Sequence, residues 1–538
     1  PLKRAILSSG LAEDVEMAVM DSVKQPYLLL VLRGMRDEDS GKLKELVRET
    51  VRRLVTEGLD PKALQASISR FAFRCRQTGE PQGLYRALSS FNSWLYGGDP
   101  LSFLVYDEVI AALRKMVGTG GFERLLDELL GGEEGLSILH MLPSVTLGKE
   151  EMENEEERVR AEYAALTEGQ RKALAAENEA LLRWQTEPDP PEAAASIPTL
   201  SLSEAGKAPE YTKTIEKKEQ GATVLYHPVP THGIVYLSLY FPLTNFELPE
   251  LTKLSLFPSL FGELPTENYS VSELQQAVKT HIGSLSFGIF AYGKREENKT
   301  CAPHLCVHAG ILEESLPEAE ELLVELLTKT KFDRKDKIKE IVLQAEESAK
   351  QGAIGNGHAL GMAAVQSHYT ARGAVAEAVG GHTFLRFLHR FAKDFDGEID
   401  GFLSLAERVR RGSVCRKGLT VGITASGEIS LSGLLGGIPE GTALPGSAAY
   451  QTELPKRLGI RIPAPIAYAV RGGHLSAFGE AFSGSLRIAA HILSLGYLWN
   501  EIRVQGGAYG TGLSVNQQGG MTCYSYRDPS PERSLSVY

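Results

Sequence analysis

With 538 residues the chain is too long for one hydrophobic core, so three or four domains are expected. Its 43% hydrophobic and 23% charged residues fit an ordinary globular protein, and no apolar run approaches the about 20 residues that span a bilayer. A formal net charge of −11 disfavours a nucleic-acid partner, which attracts a basic face, so neither nucleic acid nor membrane is an expected partner.

The first segment begins at Pro1 without a charged and apolar leader, so no signal peptide is read there. From Tyr27 to Met35 runs an apolar strand pattern closed by Gly34. Helical periodicity follows from Ser40 to Glu57, with Leu43, Leu46, Val47, Val51 and Leu54 in one stripe. Asp60 and Pro61 then restart a helix, as cap and first helical residue. One strand and several helices before Gly131 read as the later part of an α+β domain.

Residues Thr146 to Trp184 are dense in Glu, Lys, Arg, Ala and Leu, interrupted at Thr167 and Gly169. This composition predicts two long helices joined by a short turn. The acidic run Lys149 to Glu157 reads as a solvated helix face. The Pro-rich stretch from Glu187 to Pro198 reads as a linker.

A second α+β region covers Ser201 to Ser426. Strands are expected at Gly221–Tyr226, Gly233–Phe241 and Leu285–Tyr292, and helices at Leu248–Phe261, Val271–Thr280, Leu316–Thr328 and Arg334–Gln351. That order suits an antiparallel-rich sheet with helices on one face. The Gly- and Pro-rich segment Gly433–Gly446 leads to a last unit, with a strand at Ala464–Val470, a helix at Ser483–Ile502 and strands from Ala508 onward. Ser534 to Tyr538 reads as one more strand. A chain without an initial Met that stops in mid-pattern is expected to be a fragment.

The five cysteines, Cys75, Cys301, Cys306, Cys415 and Cys523, are scattered and odd in number, a pattern for a reducing compartment without a disulfide framework. Neither H-E-x-x-H nor H-x-x-E-H occurs. Cys301, His304, Cys306 and His308 form the one metal-like cluster. In a strand, however, same-face neighbours stand about 6.8 Å apart, awkward for zinc donors at roughly 2.0–2.3 Å. A half-buried strand is the preferred reading, and His382 and His389 are read as ordinary helix histidines.

The most distinctive stretch is Arg-Val-Gln-Gly-Gly-Ala-Tyr-Gly, from Arg503 to Gly510. Arg503 closes an apolar helix, Gly506 and Gly507 break it, and Tyr509 opens a strand. Guanidinium and phenol are donors that need not titrate near neutrality. Together they can hold a peptide carbonyl or the oxyanion of a tetrahedral intermediate. The alternative is a C-capping Arg, a Gly-rich turn and a packing Tyr.

This motif, followed by Cys-Tyr-Ser-Tyr-Arg-Asp-Pro from Cys523 to Pro529, resembles the C-terminal half of presequence proteases, in the pitrilysin/insulinase group of zinc metallopeptidases with falcilysin as a relative. Leu142–Glu151, Trp184–Asp189, Ile197–Ser203, Thr231–Phe241 and Leu251–Leu274 agree with it in order, so the likeness covers nearly the whole chain. It implies α+β domains repeated in an enzyme of two halves that enclose a chamber, joined by a long helical hairpin. The domains would be 1–135 (incomplete second), 136–200 (hairpin and linker), 201–445 (third, catalytically degenerate, with no His around Leu254–Phe261) and 446–538 (incomplete fourth). Zinc would be bound by an N-terminal domain absent from this chain, which alone is expected to be inactive. Arg503 and Tyr509 match the Arg and Tyr that hold the substrate. Short unstructured peptides, targeting presequences among them, are the implied partners, along with the missing N-terminal domain. An organellar matrix is the implied compartment, with bacterial cytoplasm as alternative. The rival readings are a non-catalytic scaffold or peptide-binding homologue of the same fold, and a metal-binding protein using Cys301 to His308.

Overall fold

The computed structural model describes residues 1–77, 79–132, 136–204, 206, 211–295 and 297–538. The domain boundary expected at residue 135 lies outside them. The first elements are α1 (Leu2–Ser9), β1 (Asp14–Met20), β2 (Tyr27–Arg33), α2 (Ser40–Glu57), α3 (Pro61–Arg76), α4 (Gln82–Trp94), α5 (Asp107–Met116), α6 (Gly121–Leu130), α7 (Leu147–Ala165), α8 (Glu168–Thr186) and α9 (Pro191–Ala195). Then come β3 (Ile215–Glu219), β4 (Ala222–Pro228), β5 (Ile234–Pro242), α10 (Leu248–Leu254), α11 (Val271–His281), β6 (Ser284–Tyr292) and β7 (Thr300–Leu312). Six helices follow: α12 (Leu316–Lys329), α13 (Lys335–Gly355), α14 (Gly357–Gln366), α15 (Ala371–Gly380), α16 (His382–Lys393) and α17 (Phe395–Gly412). The chain closes through β8 (Thr420–Ala425), α18 (Ser432–Gly437), β9 (Ala448–Ala449), β10 (Val470–His474), α19 (Gly484–Leu493), a π-helical segment (Ser494–Val504), β11 (Gly510–Val515), β12 (Gly520–Tyr526) and α20 (Pro531–Val537).

Two compact units emerge, Pro1–Gly58 with Glu123–Tyr211, and Leu59–Phe122 with Thr212–Tyr538. In the first, β1 and β2 pair antiparallel from Asp14 opposite Arg33 to Met20 opposite Tyr27. Leu2, Ile6, Ala12 and Val15 are buried against Leu30, Leu32, Leu43, Leu46 and Val47, so the stripe expected on α2 faces this core. The strand β1 is a correction to the single strand expected here. Its acidic, aromatic-free sequence carries little strand propensity, and pairing with β2 supplies what propensity does not. The two charged helices fall where composition placed them. Thr167 and Gln170 form a capping box at the start of α8, and Arg171 donates back to the carbonyls of Tyr163 and Ala164, both at 3.2 Å. The linker expected at Glu187–Pro198 contains the short α9, entered through Pro190 and Pro191.

In the second unit a sheet runs in the order β3-β4-β8-β5-β7-β6, with β9 pairing β7 as well. Only β4 and β8 are parallel among these named pairs. Alternation decides the faces. Val235, Leu237, Leu239 and Phe241 of β5, with Leu305, Val307 and Ile311 of β7, bury against α10, α12, α13, α16 and α17. On the other face, α3 and α5 cover one end through Ile68, Ala72, Phe73 and Ile110, which meet Ile234, Leu312 and Tyr236. Asp60 caps α3 as the sequence indicates, its carboxylate accepting from the Lys62 N–H at 2.9 Å.

Several local expectations change. The helix expected at Leu248–Phe261 ends at Leu254 and gives way to a 3-10 turn at Phe257–Leu260, because Pro258 has no N–H to continue it. The charged strand β3 escapes a hydrophobic-period reading, as edge strands rich in Lys and Glu do. The strand expected at Ala464–Val470 instead runs from Val470 to His474, with Ala467 reduced to a lone bridge opposite Asp528. Pro463 and Pro465 remove two ladder donors upstream. Ser534–Tyr538 is not a strand. Pro531 at the first helical turn and Glu532 near the positive helix end make α20 instead.

Candidate functional site

The second, three-stranded sheet has the order β10-β12-β11, all antiparallel. Helix α14 packs on β10 and β12 at glycine positions: a Cβ on Gly357 would stand 2.4 Å from the Tyr468 ring. The helix expected at Ser483–Ile502 is α19 continued by the π-helical segment. Its start is tied to β11, since Ser494 Oγ donates to Ala490 at 2.7 Å and accepts from the Leu513 N–H at 2.8 Å. Its end is tied to α20, whose Arg533 pairs with Glu501 at 3.2 Å. Leu498, Ile502 and Ala508 bury the underside with Leu513 and Tyr538.

The turn after Arg503 uses its glycines for different reasons. Gly507 adopts φ +78°, a left-handed conformation that costs glycine little, and its N–H bonds the Arg503 carbonyl at 3.0 Å. At Gly506 a Cβ would lie 2.5 Å from the Ile502 carbonyl. The chain therefore doubles back within four residues, and Tyr509 enters the sheet beside Arg503. The Tyr509 N–H is shared between the carbonyls of Tyr526 at 3.0 Å and Arg527 at 3.3 Å.

Arg503 and Tyr509 are thus brought together. The Arg503 guanidinium donates to the Tyr509 carbonyl and lies 5.4 Å from the centre of the Tyr509 ring. Its other face is 4.3 Å from the Trp499 ring. Tyr509 remains 65% exposed, so its phenol is open to a ligand. Its ring meets Tyr526 edge-on at 5.9 Å, and the Arg527 guanidinium stands 5.5 Å over Tyr526. The result is a row of alternating π faces and cations: Trp499, Arg503, Tyr509, Tyr526, Arg527.

Behind the row, Tyr526 contacts Tyr468 at 5.6 Å and the His358 ring at 5.0 Å. Burial pushes the Tyr468 phenol up and the His358 imidazole down, so both stay neutral at ordinary pH. Trp499, Tyr526 and Arg527 were not assigned roles from sequence. Trp499 sits one helical turn before Arg503, a spacing that helical periodicity contains. The Tyr526 position, opposite Gly510, follows only from the strand register.

The histidine and cysteine cluster lies on β7, away from this row. His304 Nδ1 meets the Ala302 carbonyl at 2.9 Å, and His308 Nδ1 meets Ser238 Oγ at 2.9 Å. Cys306 Sγ lies 3.7 Å from the Tyr292 hydroxyl. Tyr240 meets Tyr292, His304 and His308 at 5.7, 6.3 and 5.9 Å, each near perpendicular. Burial pushes the Cys306 thiol up to about 11 and Cys301 up to about 12, and it lowers His304. Such thiols stay protonated, unlike the thiolates that bind zinc. Among the described residues no three His, Cys, Asp or Glu side chains converge to hold a metal ion, so this donor set does not fit zinc. His389 instead meets Glu346 at 2.8 Å.

Comparison with known proteins places these features in context. The family model for the domain associated with M16 peptidases of subfamily C matches residues 141–391, and that for the PreP C-terminal domain matches 459–538. Presequence protease 1, chloroplastic/mitochondrial, of Arabidopsis thaliana is 29% identical over all of this chain and 51% of its own length. Protein HypA of Clostridium perfringens is 26% identical over all of this chain and 56% of its own length. The chain therefore spans about half the length of these curated relatives. A peptidase M16 inactive domain from Pseudomonas fluorescens aligns at TM-score 0.41 and 16% identity, covering 59% of this chain and 74% of that one, too loosely to add to the argument. Two family domains in order, with presequence proteases aligned along the entire sequence, place the chain in the presequence-protease branch of the M16 peptidase family.

Proposed function

We propose that this chain is the substrate-holding, C-terminal-half portion of a zinc metalloendopeptidase that degrades short unstructured peptides, targeting presequences among them. The observation that carries the reading is the pairing of Arg503 with an exposed Tyr509 on a rigid corner between a π-helical segment and a sheet. Arg503 has donors left over after serving the Tyr509 carbonyl, and the Tyr509 phenol supplies another. Aimed at one peptide carbonyl, these donors favour the oxyanion that develops in hydrolysis. The four-part division at 135, 200 and 445 belongs to the same proposal. So does zinc held by residues beyond this chain, which supply the metal-bound water while this half binds and orients. An organellar matrix fits the plant relative, and bacterial cytoplasm is the alternative that the Clostridium relative favours.

The second reading is a peptide-binding or scaffold homologue without catalysis. The two are separated by measuring peptide hydrolysis and bound zinc on this chain and on the full-length gene product. The expected result is an active, zinc-loaded full-length protein beside an inert chain. In the full-length protein Tyr509→Phe should lower kcat/KM by about 10–1000-fold; unchanged kinetics would remove Tyr509 from the reaction. A full-length protein that neither binds zinc nor cleaves peptide would favour the scaffold.

A further inference from the structure

The residue after Tyr526 is held where arginine is costly. Arg527 has φ +48°, one of three non-glycine residues in the left-handed region among the described residues. A side chain there costs roughly 1 kcal/mol against glycine, and such strain gathers at binding and catalytic sites. The backbone itself has use for this conformation: the Arg527 carbonyl helps to seat the Tyr509 N–H, and the next N–H, of Asp528, bonds Ala467 at 2.8 Å. Glycine would serve those bonds equally well.

The fold makes little use of the guanidinium. Arg527 is exposed and forms no ion pair among the described residues. It reaches the Tyr468 hydroxyl, a neutral partner that leaves its charge unmatched. The neighbouring carboxylate does not neutralise it, because Asp528 is 1% exposed and turned inward to accept from the Ser530 N–H at 2.8 Å. The guanidinium rests over the Tyr526 ring, in the same row as Tyr509 and Arg503.

We propose that Arg527 is a second anchor of this site, gripping a carboxylate of the bound peptide. The inference rests on the peptide-holding reading and deepens it. A planar fork on an aromatic face suits bidentate pairing with a carboxylate, which lysine does not reproduce. The carboxylate is either the peptide's C terminus or an acidic side chain, two sources of one chemistry. Arg503 and Tyr509 would hold the backbone while Arg527 fixes register, making Arg527 a specificity residue.

The test measures binding of a fluorescent unstructured 12-residue peptide by this chain, using anisotropy and four versions of the peptide. These carry a free or amidated C terminus, and an internal Asp or Asn. Loss of the decisive carboxylate should weaken binding by roughly 5- to 10-fold, the scale of one exposed charge-assisted pair. Which version loses affinity identifies the source. Arg527→Gly should abolish the difference between the versions while melting at the same or a higher temperature, because glycine relieves the strain. Arg527→Lys should keep only part of the preference. Equal binding of all four versions by the unaltered chain would overturn the anchor and leave the peptide-holding reading standing. A melting temperature several degrees lower in Arg527→Gly would make Arg527 structural instead. Failure of the unaltered chain to bind any version would overturn the peptide-holding reading, and the anchor with it.

Discussion

A guanidinium between two aromatic faces loses motion without losing charge, which is what a residue waiting for a transient oxyanion needs. Trp499 supplies the closer face to Arg503 at 4.3 Å, so it acts through Arg503 as a positioning residue. Cation–π contacts contribute about 0.5–2 kcal/mol. Trp499→Ala should therefore weaken peptide binding by roughly 2- to 30-fold. Trp499→Phe should recover most of the loss, and failure of that rescue would point to packing rather than to the cation. A second residue-scale effect concerns pH. His304 is buried and its pKa lies below the ordinary imidazole value. The unfolded chain then takes up this proton before the folded one does, so stability falls as pH drops below about 6.5 until His304 protonates in the fold. Replacing His304 by Gln should flatten that part of the stability–pH curve, read from denaturant midpoints between about pH 7 and pH 5. An unchanged curve would assign the acid sensitivity to other groups.

Whole elements depend on a few contacts of unequal weight. Helix α3 reaches the sheet mainly through Phe73, whose ring would be only 2.1 Å from a Cβ on Gly283 and 2.7 Å from one on Gly310. Phe73→Ala should cost about 3–5 kcal/mol, because it empties a site that small neighbours have been shaped to admit. Asp60→Ala, which removes only the cap, should cost about 1 kcal/mol. Chemical denaturation of both variants checks the ratio; similar losses would mean that α3 is held by its start rather than by Phe73. The same helix explains what was legible in the sequence. Asp60, Pro61 and the stripe on α2 are local signals, and they place these elements correctly. By contrast, β1, β3 and the shifted β10 depend on partners far along the chain or on absent donors, which hydrophobic period does not encode. At the site, the spacing of Arg503, the two glycines and Tyr509 was visible as a motif. Its neighbours Tyr526 and Arg527 join it only through cross-strand register, and the π-helical turn that presents Trp499 has no simple sequence signature.

At the scale of the molecule, burial is distributed very unevenly. The large sheet carries Leu239, Phe241, Leu305 and Ile311 at zero exposure, whereas α7 has no buried residue at all and most of α8 is exposed. Helices of 19 residues are marginal when no packed face supports them, even with a capping box and ion pairs such as Arg160–Glu156 at 3.0 Å. Amide exchange should consequently separate the chain into classes. Amides of β5 and β7 should open only with the whole unit, and those of α7 and α8 should exchange orders of magnitude faster by local fraying. Calorimetry should show more than one transition, since two units of such different burial have no reason to melt together. Exchange measured by mass spectrometry on this chain decides the matter. If α7 and α8 are protected as strongly as β5, their apolar positions, Val159, Tyr163, Leu181 and Trp184 among them, must be covered in solution by a second copy of the chain. Protection that rises with protein concentration would establish that covering, because only an intermolecular contact responds to concentration.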